Sequence, residues 1–241
     1  MTPDTAVILA AGLGSRMRPL TLTTPKPLLP LAGRPILETI LHRVRAAGVR
    51  RIIINTHHLA PQLATFCAPQ PDITLIHEPN LLDTGGALAA MDAQNLLPDT
   101  PFYIINGDTF WADGPGDTLR RLAAAYRPDQ ADCMLLLARA AGAVADTGRG
   151  DFLWPRGGAL IRRGERDVAP YLYAGIQITT CGLFRDTPQP PFSLNRLWDR
   201  AIATGRLAAI VHDGLWFHLS TPDDLAGAEA VLAAREVSNT T

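Results

Sequence analysis

"TAVILAAGLG", residues 5–14, runs apolar and uncharged from Thr5 to Ala10 and stops at a glycine, Gly12. A short run without alternation is what a strand covered on both faces requires, because neither face has to meet water. Two-sided burial is the habit of a parallel sheet. The rest of the fold can be read outward from this strand.

Ile36, Leu37, Ile40, Leu41 and Val44 recur at helical spacing, and Gly48 stands where a helix C-terminal glycine belongs. "RIIIN", residues 51–55, is a second buried strand. A helix is expected from near His58 to Cys67, then the strand "ITLIH" (73–77), a helix from about Gly86 to Leu97, and the strand "FYIIN" ending at Asn106. Repeated βαβ units predict an α/β, doubly wound, mostly parallel Rossmann-like sheet, with helices on both faces and a ligand crevice beyond the C-terminal strand ends.

From Gly142 to Arg166 the pattern loosens into glycine, arginine and short strand-like pieces, which reads as an insertion. "YLYAGIQITTCGLF" (171–184) returns as strand, "SLNRLWDRAIATG" (193–205) as amphipathic helix, and "LWFHLS" (215–220) as a last short strand. Thr221-Pro222-Asp223-Asp224 opens a final helix with a capping threonine, proline at the first helical position and acids at the positive end.

The 241 residues are 47% hydrophobic and 6% aromatic, enough for one sizeable core. With 22 basic and 23 acidic residues nearly cancelling, no bulk field favours nucleic acid or an anionic membrane, so any anion must be bound locally. Cys67, Cys133 and Cys181 are scattered, without a CxxC pair, and read as reduced core thiols. No apolar run approaches bilayer-spanning length, and a cytoplasmic protein, monomer or small homo-oligomer, is expected.

The loop after the first strand then has to be explained. Gly12-Leu13-Gly14 invites a dinucleotide reading, but Met17 stands where the third glycine should be, and the second strand ends in Asn55 instead of an acid. No GxxxxGK[ST] loop is present either. What remains is a glycine turn with exposed backbone N–H groups, followed by Arg16, Arg18 and Lys26 on a proline-braced loop. A triphosphate needs this combination of close donors and fixed cations.

"LAAGLGSRMRPLTLTTPKPLLPLAGRPIL" (9–37) resembles the signature of the sugar-1-phosphate nucleotidyltransferases, G-x-G-x-R-M-x-P-L-T, then P-K-P and G-x-P, at every position. The resemblance extends through "EPNLLDTGGAL" (78–88) and "NGD" (106–108) to the end of the chain. It implies a sheet of the nucleotidyltransferase, glycosyltransferase-A-like type with a small sugar-binding insertion. It also implies a single domain, with a nucleotide-binding part over about 1–110, a sugar-phosphate part over about 111–220, and a C-terminal helix and tail over 221–241.

The substrates implied are a nucleoside triphosphate and a sugar 1-phosphate, with Mg2+ as cofactor. By resemblance, Ala10, Ala11, Gly12 and Gly14 cradle the triphosphate, Arg16 grips the phosphates, and Lys26 lies by the α-phosphate. Asp83, Thr84 and Gly85 correspond to the turn that lies against the base, although the same residues also suit a helix-start cap. Glu78 and Asn80 suit either base contact or loop solvation. Asp108 matches the magnesium-binding aspartate. Where the family carries a second metal aspartate, in W-x-D-x-G-T, this chain reads Trp216-Phe217-His218-Leu219-Ser220-Thr221. His218 has three roles open to it: a weak metal ligand, a partner of metal-bound water, or a contact to the sugar phosphate.

Asn106, Arg149, Gly150, Asp151, Tyr173, Gly175 and Asn195 are the implied sugar contacts, and Trp111 suits either pocket or core. The overall plan and "GRGDF" (148–152) most resemble the N-acetylmuramate-1-phosphate uridylyltransferases of cell-wall recycling, which places UTP and muramate ahead of GTP and mannose 1-phosphate. Arg149 is the expected partner of the lactyl carboxylate. His218 and Ser220 also motivate a competing class, a non-catalytic nucleotide-sugar sensor. His57 and His58 read as loop surface.

Overall fold

A computed structural model of the chain describes residues 2–145 and 148–240; residues 146 and 147 of the expected insertion, and residue 241 of the expected tail, lie outside the described residues. The first half runs β1 (Thr5–Leu9), β2 (Pro30–Leu31), β3 (Arg34–Pro35), α1 (Ile36–Ala46), β4 (Arg51–Thr56), α2 (Ala60–Cys67), β5 (Ile73–His77), α3 (Asp83–Ala93) and β6 (Phe102–Asn106). After β6 come β7 (Phe110–Ala112), α4 (Thr118–Ala125), β8 (Cys133–Arg139), β9 (Ala143–Val144), β10 (Phe152–Leu153), β11 (Ile161–Arg162) and β12 (Tyr171–Thr179). The chain closes with α5 (Asn195–Ala203), β13 (Leu207–Val211), β14 (Leu215–Phe217) and α6 (Pro222–Thr240).

β1 lies between β4 and β6 and is parallel to both; β5 extends the sheet beyond β4, also parallel. On the other side β12 runs antiparallel to β6 and β8, and β13 joins β8 in parallel. β10 pairs antiparallel with both β12 and β11, so two strands, β12 and β11, are reversed in an otherwise parallel sheet, in keeping with the mostly parallel expectation. Both faces are covered, as the unbroken apolar runs require. Ile8, Ile52, Ile54, Ile105 and Leu136 form one cluster with residues of α1, α4 and α6. Val7, Ile53, Ile104, Leu135 and Leu137 form another with α3 and α5. Among the described residues no helix is long and apolar enough to cross a membrane.

Several element expectations are corrected. The second helix begins at Ala60 and not at His58, and the third starts at Asp83 and ends at Ala93. The strand expected through Phe184 ends at Thr179, and a 3-10 turn takes over at Cys181. Trp111 is 1% exposed and belongs to the core.

β12 decides where the crevice opens. It pairs with β6 only from Ile176 to Thr179, and meets β10 at Tyr171. Residues 172–175 therefore have no ladder partner on that side, at the level where β6 ends. A register shift between Tyr173 and Gln177, with Gly175 at φ 77°, bends the strand away at this point.

At the insertion's base Gly150 has φ 71°, and a Cβ there would collide with the Ala169 carbonyl oxygen. Gly150→Ala is expected to cost about 2–4 kcal/mol, a fall in Tm of roughly 5–10 °C for a chain of this size. Gly157 has φ 72° but open space around it, so Gly157→Ala should cost only about 1 kcal/mol. Thermal melts of the two variants, compared side by side, check this; equal losses would show that the collision does not matter.

Candidate active site

Two cavities open beyond the C-terminal ends of β1, β4 and β6. One, of about 590 Å³, is lined by the loop from Ala10 to Met17 and by Asn55, Glu78, Leu81, Asp83, Thr84 and Pro191. The other, of about 730 Å³, is lined by Gly148 to Asp151, Arg163, the 172–175 stretch and residues 216–221. Arg16, Lys26, Asn106, Asp108 and Ser220 line both. The two lobes thus share one wall, and that wall carries Arg16, Lys26 and Asp108.

Lys26 Nζ stands 2.6 Å from Asp108 Oδ2, with the lysine side chain 11% exposed and the aspartate 41%. Lys26 opens a 3-10 turn between Pro25 and Pro27, so its backbone is fixed by prolines on both sides. Asp108 follows β6 through Gly107, whose N–H donates to the Leu9 carbonyl at 2.8 Å. A Cβ at Gly107 would lie 3.0 Å from that same oxygen, so the glycine lets the β6 and β1 loops close up. Arg16 is exposed, and among the described residues its guanidinium has no hydrogen-bond or ion-pair partner.

The glycine loop divides in two. The Ala10 N–H is taken, donating to Asn55 Oδ1 at 2.7 Å. The N–H groups of Ala11, Gly12, Leu13 and Gly14 have no protein acceptor among the described residues. Successive unpartnered amides followed by a free arginine form an anion-binding concavity. Gly14 has φ 59°, and its carbonyl accepts from Met17 N at 2.8 Å and Thr21 Oγ1 at 2.8 Å, which anchors the loop. His58, expected as loop surface, places Nε2 2.7 Å from the Thr21 carbonyl and ties α2's entry to the same loop.

Asp83 and Thr84 reach the crevice, but the structure assigns Gly85 elsewhere. The Gly85 and Gly86 amides both donate to the Phe192 carbonyl at 2.9 Å, and a Cβ on Gly85 would stand 2.5 Å from the Phe192 ring. This glycine serves helix packing and lines neither cavity. Asp83 Oδ1 accepts from Thr84 N at 2.6 Å within the first turn, but the helix is entered from Leu82 with no side-chain cap, so the cap alternative is not realised; Thr84 Oγ1 accepts from Leu194 N at 3.0 Å.

In the second lobe Thr109 Oγ1 and Trp216 Nε1 both donate to the Ala174 carbonyl, at 2.7 and 3.0 Å, fixing the bent part of β12 beside Asn106. Asp151 Oδ2 accepts from Tyr173 N at 2.9 Å. Arg149 Nη1 donates to the Glu165 carbonyl at 2.9 Å, and Arg163 Nε to the Gly150 carbonyl at 2.7 Å. Neither arginine pairs with a carboxylate among the described residues. The Tyr173 hydroxyl is buried without a partner and its ring packs edge-on to Trp198 at 4.6 Å, so only the rest of this residue faces the crevice. Burial holds its pKa well above the usual phenol range. Asn195 lines neither cavity; it opens α5, and the expected sugar contact there is not formed by the fold.

His218 lies at the rim of the shared wall with Nε2 2.8 Å from Ser220 Oγ. Burial pushes its pKa down, Asp224 pulls it up, and Arg16 and Lys26 push it down further, so the ring is neutral near neutral pH. Ser220 N and Thr221 N donate to Asp224 Oδ2 at 2.9 and 2.8 Å, while Asp224 N donates to Thr221 Oγ1 at 3.2 Å, the expected cap of the last helix.

Sequence reasoning left the lining residues Asn55 and Arg163 without a role and Glu78 open between base contact and solvation. Asn55 ends a buried strand at the crevice side, which was the available signal, and Glu78 is 4% exposed instead of solvated. Arg163 carried no signal, since its place depends on the pairing of β10 with β11.

A family model described as a MobA-like NTP transferase domain matches residues 6–143. The N-acetylmuramate alpha-1-phosphate uridylyltransferase of Caulobacter vibrioides is 34% identical, over 96% of this chain and 98% of that protein. The mannose-1-phosphate guanylyltransferase of Mycobacterium tuberculosis is 31% identical over 94% of this chain and 64% of its own length. Among solved structures, the inositol-1-phosphate CTP transferase of T. maritima superposes with a TM-score of 0.74 at 16% identity, over 96% of this chain and 97% of that one, a likeness of fold.

Proposed function

The chain belongs to the sugar-phosphate nucleotidyltransferases built on a MobA-like NTP transferase domain, and on that premise we propose that it transfers a uridylyl group from UTP to N-acetylmuramate 1-phosphate, releasing pyrophosphate, in the cytoplasmic recycling of peptidoglycan. The observation that carries the chemistry is the shared wall, where Lys26 and Asp108 stand between two lobes of substrate size. The choice of nucleotide and sugar rests on the relative matched over nearly all of both chains.

In this reading the nucleotide occupies the glycine-loop lobe and the sugar phosphate the lobe beside β12. The unpartnered amides and Arg16 hold the leaving phosphates, and Lys26 offsets charge on the α-phosphate as the sugar-phosphate oxygen approaches phosphorus. That oxygen is already anionic, so no base is needed and the protein's task is to align and to neutralise. One bond forms between the sugar-phosphate oxygen and the α-phosphorus, and the bond to the pyrophosphate oxygen breaks.

Mg2+ prefers oxygen donors and keeps several waters. No group of three His, Cys, Asp or Glu side chains is gathered among the described residues, so Asp108 is the residue that would hold the ion, with substrate and water oxygens completing its shell. Bound there, it would supply charge neutralisation at the phosphates. His218, a neutral ring already engaged with Ser220, suits a contact to the sugar phosphate better than a place around magnesium.

Pyrophosphate release with Mg2+, crossing UTP, GTP, CTP and dTTP against muramate, mannose, glucosamine and glucose 1-phosphates, tests the proposal. Release with the UTP and muramate pair is expected. Preference for GTP and mannose 1-phosphate would move the assignment to the second relative's activity, and binding without release would favour a sensor. Arg149 lines the sugar lobe and, among the described residues, only one of its N–H groups has a partner, so Arg149→Ala is expected to lower kcat/KM for N-acetylmuramate 1-phosphate about tenfold. N-acetylglucosamine 1-phosphate, which lacks the carboxylate, should be unaffected; an equal loss for both sugars removes Arg149 from this role.

A further inference from the structure

Asn55 and Glu78 are buried at 3% and 4% exposure, yet both border the nucleotide lobe. They form one chain of hydrogen bonds between its two walls. Ala10 N donates to Asn55 Oδ1 at 2.7 Å, Asn55 Nδ2 donates to Glu78 Oε1 at 2.6 Å, and Leu82 N donates to Glu78 Oε2 at 3.2 Å. Glu78 is itself fixed to the end of β4, its N–H donating to the Thr56 carbonyl at 2.8 Å.

Backbone N–H groups stand at both ends of this chain, and they can only donate. The Ala10 N–H therefore fixes which way the Asn55 amide points, and the amide's NH2 must face Glu78. Glu78 has to accept twice, once from Asn55 and once from Leu82. With so little exposure, a missing partner in this chain is poorly replaced by water. We infer that Asn55 and Glu78 are positioning residues for the nucleotide, holding the peptide that enters the glycine loop and the segment carrying Leu81 and Asp83 at a fixed separation across the lobe.

The inference rests on the nucleotide occupying that lobe, and it predicts an effect of hydrogen-bond parity, independent of size or charge alone. In Glu78→Gln the side chain has one acceptor where two are required, so every orientation leaves a donor against a donor. In Asn55→Asp two carboxyl oxygens face each other. The double variant Asn55→Asp/Glu78→Gln restores the alternation: the introduced carboxylate accepts from Ala10 N and from the introduced amide, whose oxygen accepts from Leu82 N.

Nucleotide binding, measured by calorimetry with UTP and Mg2+, is expected to weaken about tenfold in each single variant, the worth of one well-made buried hydrogen bond, and to return to within about threefold of wild type in the double variant. The KM for the sugar phosphate should change by less than about twofold throughout, which separates positioning of the nucleotide from general loosening. Equal nucleotide affinity in wild type and Glu78→Gln overturns the inference alone, and so does a double variant as impaired as its parents. If the singles melt early but the double does not, its affinity still decides. A wild type that binds no nucleoside triphosphate overturns the functional proposal beneath it.

Discussion

Replacing Lys26 with alanine is expected to lower kcat about a thousandfold while moving Tm by no more than about 2 °C. The two halves of this expectation have different causes. Lys26 is the least exposed cation of the shared wall, and it borders both lobes. In the proposed reaction, charge shifting from the α-phosphate toward pyrophosphate would pass this position, and a fixed donor there would act without reorganising at the moment of reaction. Losing one such donor costs about 10² to 10³ in rate, and the loss here includes a full charge. Its ion pair with Asp108 adds little to folding, because Asp108 is 41% exposed and solvent screens the pair. Lys26→Arg should recover less than a tenth of the rate, since a longer planar fork does not reproduce the compact ammonium held 2.6 Å from Asp108. Pyrophosphate release at saturating substrates, with Tm measured on the same preparations, checks both; a kcat within fivefold of wild type would remove Lys26 from the reaction.

The first four sheet strands in chain order, β1, β4, β5 and β6, are legible in sequence because each apolar run is followed by a turn or by polar residues. β8 and β13 are not. "CMLLLAR" is rich in leucine and methionine and suits a buried helix as well as a strand, while "LAAIV" has too little β-branching to announce itself; their pairing with each other and with β12 settles both. The same division runs through the site. Gly12, Gly14, Arg16, Lys26 and Asp108 are legible because they lie in short local motifs that do one kind of chemistry. Gly85 is ambiguous in sequence, since a glycine that admits a base also admits a phenyl ring, and Phe192 arrives from far along the chain. Asn55 is silent and Glu78 undecided for a related reason: each looks ordinary alone, and their pairing exists only where β1, β4 and the loop before α3 converge.

Asp108→Asn, nearly equal in size and without charge, is expected to lower kcat by about a thousandfold or more in Mg2+ and to raise affinity for metal-free UTP about three- to tenfold. The opposite signs follow from one charge. Among the described residues Asp108 is the one carboxylate that both lobes share, and with magnesium present a carboxamide is a much poorer ligand for a hard cation. Without magnesium the same carboxylate repels the triphosphate and occupies Lys26 at 2.6 Å, so its removal leaves the lysine free to meet phosphate. At separations of about 6 Å and an effective dielectric constant of about 40, the relieved repulsion is of order 1 kcal/mol, which sets the size of the gain. Titrating UTP in EDTA and Mn2+ into the enzyme–UTP complex reads the two effects separately. Weaker Mn2+ binding together with tighter metal-free UTP assigns the metal to Asp108. Unchanged Mn2+ affinity would place the ion elsewhere, with His218 the next candidate, and Asp108 would then be a partner that keeps Lys26 in place.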